Sequence, residues 1–216
     1  MKPNIYELNI AMDIVVDLLN RGLKEAIDEG KYVEWQENQF KESHAGCTKI
    51  VFLPAALPNW VIKTDINNFH LCRREVENYR LAEERDLAGY FAETFYLCEK
   101  EGLYFLIQRR GDMETARITV QKACYDSIID TYKPWKENET PEEREENISE
   151  MCDDMWDSER IFAIYGCEDE CDDLIDFIET RMCNDLHSGN FATINGEIVI
   201  VDFSGYWTDK ELEDFE

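Results

Sequence analysis

Two carboxylates and an amide stand close together late in the sequence, in Asn184-Asp185-Leu186-His187-Ser188-Gly189-Asn190 and in Val201-Asp202-Phe203-Ser204-Gly205. Between them lie two β-branched, apolar runs, Phe191-Ala192-Thr193-Ile194 and Glu197-Ile198-Val199-Ile200-Val201, joined by Asn195-Gly196. Asn-Gly between such runs is the strongest local hairpin signal in the chain. A hairpin returns its ends to one place, so Asn190 and Asp202 are expected together at its open end, where both can reach one metal ion. The second carboxylate, Asp185, sits in the preceding loop, where it could orient or deprotonate an acceptor hydroxyl. This is the inventory that phosphoryl transfer needs.

The elements that must position these groups follow from periodicity. Residues 4–28 place Ile5, Leu8, Met12, Val15, Val16, Leu19, Leu23 and Ile27 at helical spacing, which predicts one amphipathic helix ended near Gly30. Tyr32 to Phe40 reads as a strand. Lys49-Ile50-Val51-Phe52-Leu53 and Trp60-Val61-Ile62-Lys63-Thr64 read as a hairpin around Pro54, Pro58 and Asn59. Residues 68–86 return to helical spacing, and Phe91 to Leu97 and Leu103 to Gln108 form a second pair of strands around Lys100-Glu101-Gly102. The first half is therefore an antiparallel α+β lobe. The second half is mainly helical, at about 114–132, 142–165 and 171–182, and Ile148, Met151, Met155 and Trp156 give its acidic stretch an apolar face.

The loop and hairpin resemble the catalytic and metal-binding loops of the protein-kinase-like superfamily, above all the aminoglycoside and small-molecule kinase branch, whose loop also reads D-L-H-x-x-N. By motif position, Asp185 resembles the catalytic base, Asn190 the metal ligand of the catalytic loop, and Asp202 the acid of the D-F-G-type motif. The resemblance implies a lysine on the third strand and a glutamate on the next helix. Lys63 in Trp60-Val61-Ile62-Lys63 is similar to the V-A-I-K lysine that contacts the α- and β-phosphates, and Glu75, twelve residues on, is its expected ion-pair partner. Glu77 lies about 200° further round the helix and is expected in solvent. The resemblance further implies that Gln108 to Arg110 meet adenine through their backbone and that Val51, Val61 and Val201 line the nucleotide pocket. The phosphate-covering loop falls near Lys41 to Lys49, with Gly46 as its one glycine. The implied cofactors are ATP and Mg²⁺, and the implied partner is an unidentified hydroxyl acceptor, a protein Ser/Thr or a small molecule.

The expected architecture is thus a bilobal, protein-kinase-like α+β fold: an N-terminal amphipathic helix (1–30), an antiparallel-sheet N-lobe (31–110) and a reduced, mainly helical C-lobe (111–216). Only 14 residues follow Asp202, which leaves no room for an activation segment, and Cys183-Asn184 stand where eukaryote-type kinases carry His-Arg. Forty-eight acidic against 22 basic residues give a net charge of −26, which disfavours direct binding to nucleic acid and anionic lipid. The same charge suits a basic acceptor or a basic protein partner. It also sustains two competing readings, a catalytically inactive kinase-like binding module acting through its acidic surface and an acidic decoy mimicking nucleic acid. Eight scattered cysteines without a C-x-x-C pair, and three histidines at no metal-ligand spacing, argue for reduced thiols and against zinc. No membrane-length apolar run and no secretory signal are read, so the expected location is the cytoplasm.

Overall fold

Asn4 starts the first helix by a reciprocal cap. Its side chain accepts from the Tyr6 and Glu7 N–H groups, and Glu7 accepts from the Asn4 N–H at 2.8 Å. The computed structural model describes residues 2–39, 43–45, 48–67, 70–129, 139–153, 158–166, 168–181 and 186–205. They form two compact units, one built on Met1–Gly111 and one on Asp112–Tyr206. The class is α+β.

In the first unit the expected single helix is two, α1 (Ile5–Asn20) and α2 (Leu23–Asp28). The break falls at Gly22, whose φ of 86° is open to glycine and strained for other residues. The stretch read as a strand at Tyr32 to Phe40 is instead helical, as α3 (Tyr32–Gln39). Tertiary anchoring decides the matter: the Trp35 indole N–H donates to the Arg21 carbonyl at 2.7 Å, and its ring meets Phe52 edge-on. Phe40 itself lies outside the described residues.

Five strands follow: β1 (Ser43–Ala45), β2 (Lys49–Phe52), β3 (Trp60–Asp65), β4 (Thr94–Lys100) and β5 (Leu103–Arg109). They make one antiparallel sheet in the order β1-β2-β3-β5-β4, with the helix α4 (Leu71–Glu84) inserted between β3 and β4. Strand alternation sorts the side chains onto two faces. Ile50, Phe52, Trp60, Ile62, Phe105 and Ile107 bury one face in a core shared with Ala11, Val15 and Leu18 of α1 and Leu23 of α2. The N-terminal segment expected as an element apart (1–30) is therefore part of this unit's core. The Trp60 indole N–H reaches Glu7 at 2.9 Å and ties the start of α1 to the sheet. The other face carries Lys49, Val51, Val61, Lys63 and Asp65, in a register that sets Lys49 opposite Asp65 and Val51 opposite Lys63.

The second unit comprises α5 (Met113–Ile128), α6 (Pro141–Asp153), α7 (Ser158–Tyr165), α8 (Glu168–Thr180) and the hairpin β6 (Phe191–Ile194) and β7 (Glu197–Ile200). The stretch 142–165 was expected as one helix; helical structure is described as the separate α6 and α7, and residues 154–157 between them lie outside the described set. Ile148 is buried, while the side chains of Met151, Met155 and Trp156 are not among those described. Asn195 and Gly196 adopt φ of 54° and 92°, the left-handed pair that a two-residue hairpin turn requires. Asp112 caps α5 by accepting from the Thr115 N–H, which holds its carboxyl below the usual range. Its backbone exchanges two hydrogen bonds with Thr193, so the start of α5 is fixed to the hairpin.

Candidate functional site

The first constellation grows from the junction of β3 and α4. β3 is flanked by β2 and β5, and Lys63 points to the face opposite the large apolar core. Two residues on, the Asp65 carboxylate accepts the Cys72 N–H with 3.0 and 3.2 Å contacts, in the first turn of α4. This bond satisfies a helix N-terminal donor and sets the phase of the helix. The buried positions of α4 are Leu71, Cys72, Arg74, Glu75, Asn78, Tyr79 and Ala82, and Glu75 falls among them. Glu77 is exposed, as its helical phase predicts.

Glu75 is 0% exposed and is met by three side chains from three strands. Lys63 Nζ lies 2.8 Å from Oε1, Gln108 Nε2 lies 2.7 Å from the same oxygen, and Lys49 Nζ lies 3.0 Å from Oε2. Gln108 also donates to Thr94 Oγ1 at 2.8 Å, and the Thr94 hydroxyl in turn donates to the Ala92 carbonyl. Asp65 completes the charged set. Burial pushes its carboxyl above the ordinary range, and the Cys72 N–H and the nearby Lys49 charge pull it partly back. The Cys72 thiol is pushed well up by its own burial and by Asp65, so it is held protonated and inert.

Lys63 and Glu75, expected to pair, are in direct contact. Lys49, Asp65 and Thr94 were missed as partners of this cluster. The signal for Lys49 was present in the hairpin: pairing Lys49-Ile50-Val51-Phe52 against β3 puts Lys49 on the face of Lys63 and opposite Asp65. Gln108 was expected to serve through its backbone at a hinge. It is instead a strand residue whose buried side chain belongs to the Glu75 cluster. The neighbouring amides are committed too, because the Arg109 N–H donates to the Glu93 carbonyl at 2.8 Å and the Arg110 N–H to the Asn59 carbonyl at 2.9 Å. Val61 is buried and Val51 half-buried on the Lys63 face, and Val201 is buried in the second unit. The loop expected across Lys41 to Lys49 is shorter than read, because β1 occupies 43–45 and only 46–48 join it to β2. Gly46 lies outside the described residues.

The second constellation sits at the open end of the β6–β7 hairpin. The Val201 N–H donates to the Asn190 carbonyl at 2.8 Å, one step beyond the last ladder pair, Phe191 with Ile200. Asn190 is buried; its Nδ2 donates to the Asp202 carbonyl at 3.3 Å and its Oδ1 accepts from the His187 N–H at 3.3 Å. The amide is thereby fixed in orientation, with the half-buried Asp202 beside it. His187 accepts the Gly189 N–H on Nδ1, and a Cβ at 189 would sit 2.8 Å from the exposed imidazole, so a side chain there would push the ring aside. Asp185, expected as the catalytic base, lies outside the described residues.

No family model, curated protein or solved structure matches this chain. What bears on function is the chemistry of the two constellations. No group of three or more His, Cys, Asp or Glu side chains among the described residues could hold a metal. Asn190 Oδ1 with an Asp202 carboxylate oxygen is a different donor set, one amide and one carboxylate, both hard. Mg²⁺ takes such hard oxygens, but the amide as it stands turns Nδ2 toward Asp202 and Oδ1 toward the His187 N–H, so it would have to rotate for both residues to meet one ion. No helix among the described residues is long and apolar enough to cross a membrane.

Proposed function

We propose that the chain is an ATP·Mg²⁺-dependent phosphotransferase of the bilobal protein-kinase-like kind, transferring the γ-phosphate to a hydroxyl of a protein Ser/Thr or of a small molecule. The observation that carries the reading is the buried contact between Lys63 on β3 and Glu75 on the helix that follows, 2.8 Å apart. Burying a lysine and a glutamate costs several kcal/mol per ion before their attraction repays it. Such a pair is weak evidence for stability and better explained by a task. That task is to hold an ammonium group ready for the α- and β-phosphates.

Support from the second unit is the adjacency of Asn190 and Asp202. These two would hold Mg²⁺, which in phosphoryl transfer neutralises charge on the phosphate oxygens. Asp185, five residues before Asn190, would orient the acceptor hydroxyl and take its proton as the oxygen bonds to phosphorus and the bridging oxygen leaves with ADP. The net charge of −26 favours a basic acceptor, such as an aminoglycoside or a Lys/Arg-rich peptide. The expected cytoplasmic location belongs to the same reading.

One observation favours the competing reading, a kinase-like binding module without turnover: the Arg109 and Arg110 amides are already bonded within the protein. The two readings separate in one experiment. Melting temperature is measured with and without ATP and Mg²⁺ for the wild type and Asp202→Ala, and ADP release is followed with candidate basic acceptors. A ligand at a hundred times its dissociation constant stabilises the fold by about 2.7 kcal/mol. A magnesium-dependent rise that Asp202→Ala abolishes supports the nucleotide site, and ADP release establishes the enzyme. A wild type indifferent to every nucleotide sinks the phosphotransferase reading.

A further inference from the structure

Lys49 bounds the stretch expected to cover phosphate, with no role expected of its side chain, yet that side chain is buried and bonded to the carboxylate at the centre of the cluster. We infer that Lys49 is a positioning residue for nucleotide phosphates, acting through Glu75. This rests on the reading just proposed and adds a residue to it.

The argument starts from what Lys63 must do. An ammonium has three N–H donors and no acceptor, and to bind phosphate it must turn at least one donor away from the protein. With three donors it can keep one on Glu75, but an ammonium shared with phosphate holds a fully buried carboxylate less firmly. A buried charge without its partner is costly, so the site would resist the very movement that binding needs. The observed bonds remove that resistance. Lys49 holds Oε2 from β2, while Gln108 from β5 shares Oε1 with Lys63 and is itself oriented by Thr94. Glu75 is therefore held from both sides of β3 and does not depend on Lys63 alone.

Position fits the role. Lys49 is the first residue of β2, opposite Asp65, whose carboxylate anchors the first turn of α4. Lys49 thus stands next to both acids that fix α4 against the sheet, the capping Asp65 and the central Glu75. Lys49 and Asp65 are buried charges beyond that single ion pair, a heavy load for a structure needing only one. They are explained if the carboxylate must keep its place while one lysine changes partner.

The test measures affinity for the Mg²⁺ complex of a non-hydrolysable ATP analogue by calorimetry, beside the melting temperature of the ligand-free protein. The variants are Lys49→Met, Lys49→Arg, Glu75→Gln and the double variant Lys49→Met/Glu75→Gln. Lys49→Met is expected to weaken binding about tenfold, and Lys49→Arg to restore most of the loss. In the Glu75→Gln background, Lys49→Met should cost nothing further. An equal loss in both backgrounds would overturn the inference, because Lys49 would then touch phosphate directly. So would a Lys49→Met protein that melts lower but binds with unchanged affinity, since its role would be structural only. If Lys49→Met does not fold, Lys49→Arg and the double variant, which removes one buried charge of each sign at Glu75, still decide between these outcomes. A wild type that binds no nucleotide overturns this inference together with the proposed function, whereas wild-type binding with an indifferent Lys49 overturns this inference alone.

Discussion

Replacing Glu75 by leucine is the sharpest test of the buried cluster. The change keeps the side chain's approximate volume and removes one charge from a fully enclosed position that Lys49, Lys63 and Gln108 all meet. Breaking a buried ion pair from one side costs about 3–5 kcal/mol, because the surviving charge stays enclosed without compensation. Here two ammonium groups lose one carboxylate, and Gln108 keeps only its Thr94 bond. The cost should reach at least the lower end of that range, a large part of the roughly 5–15 kcal/mol that holds a typical domain folded. The informative partner is Lys63→Met/Glu75→Leu. It removes one charge of each sign and leaves Lys49 beside Asp65, so the pair should come within about 1.5 kcal/mol of wild type, as volume-conserving core exchanges do. Because the chain folds as two units, the readout should be local. Hydrogen exchange of the β3 and α4 amides across a urea series reports the unit that holds the cluster. A single variant costing under about 1 kcal/mol, or a double variant as unstable as the single, would refute the claim that these charges are held out of water.

Two further outcomes follow from the same structure. Asp65 has a folded-state carboxyl raised above its ordinary value, so its ionisation opposes folding: its contribution is present at low pH and lost as pH rises from about the ordinary carboxylate value through the raised one. Urea unfolding from pH 3 to 8 should therefore show Asp65→Asn gaining on wild type as pH rises, and a difference that stays flat or moves the other way would contradict the assignment. Gly196→Ala should destabilise the β6–β7 hairpin by about 1–2 kcal/mol through its positive φ alone, since an added Cβ meets nothing within 4 Å; amide exchange at Ile198 to Ile200 measures it, and unchanged protection would show that the turn tolerates the strain.

How much of this was legible depended on whether local pattern and tertiary contact agreed. The β2–β3 hairpin, the helix after it and the β6–β7 hairpin could be read because turn residues and periodicity named the same elements. With strand, turn and helix in order, the resemblance to kinase-like loops, which implies a strand lysine paired with a glutamate on the next helix, singled out Lys63 and Glu75. The α3 segment failed for the opposite reason. Tyr32, Val33 and Trp35 suit a strand by type, and the indole bond to Arg21 that favours a helix joins residues 14 apart. Gln108 was legible as the end of a strand, but its buried side-chain role was not, since a glutamine near a turn signals solvent by default. Lys49 required the register of a hairpin whose existence was read but whose pairs were not counted.

The two faces of the five-stranded sheet divide the labour in a way that explains where the charges can be. On one face, Phe52, Trp60, Ile62, Phe105 and Ile107 are enclosed by α1 and α2, and burial of each such side chain contributes about 1.5–3 kcal/mol. The Glu7–Trp60 and Trp35–Arg21 bonds fasten the helical cover of this face to the sheet and to itself. On the other face, Lys49, Lys63, Asp65 and Glu75 are buried in the same unit at a cost that apolar residues of equal size would not incur. A sheet with only the charged face covered would lack the surplus to hold it. The N-terminal helices are therefore a condition for the cluster, although neither touches Glu75 through any bond described here. Sites that must keep a charge poised and dry depend on apolar packing elsewhere, and in this unit that packing lies directly behind them, one strand thickness away.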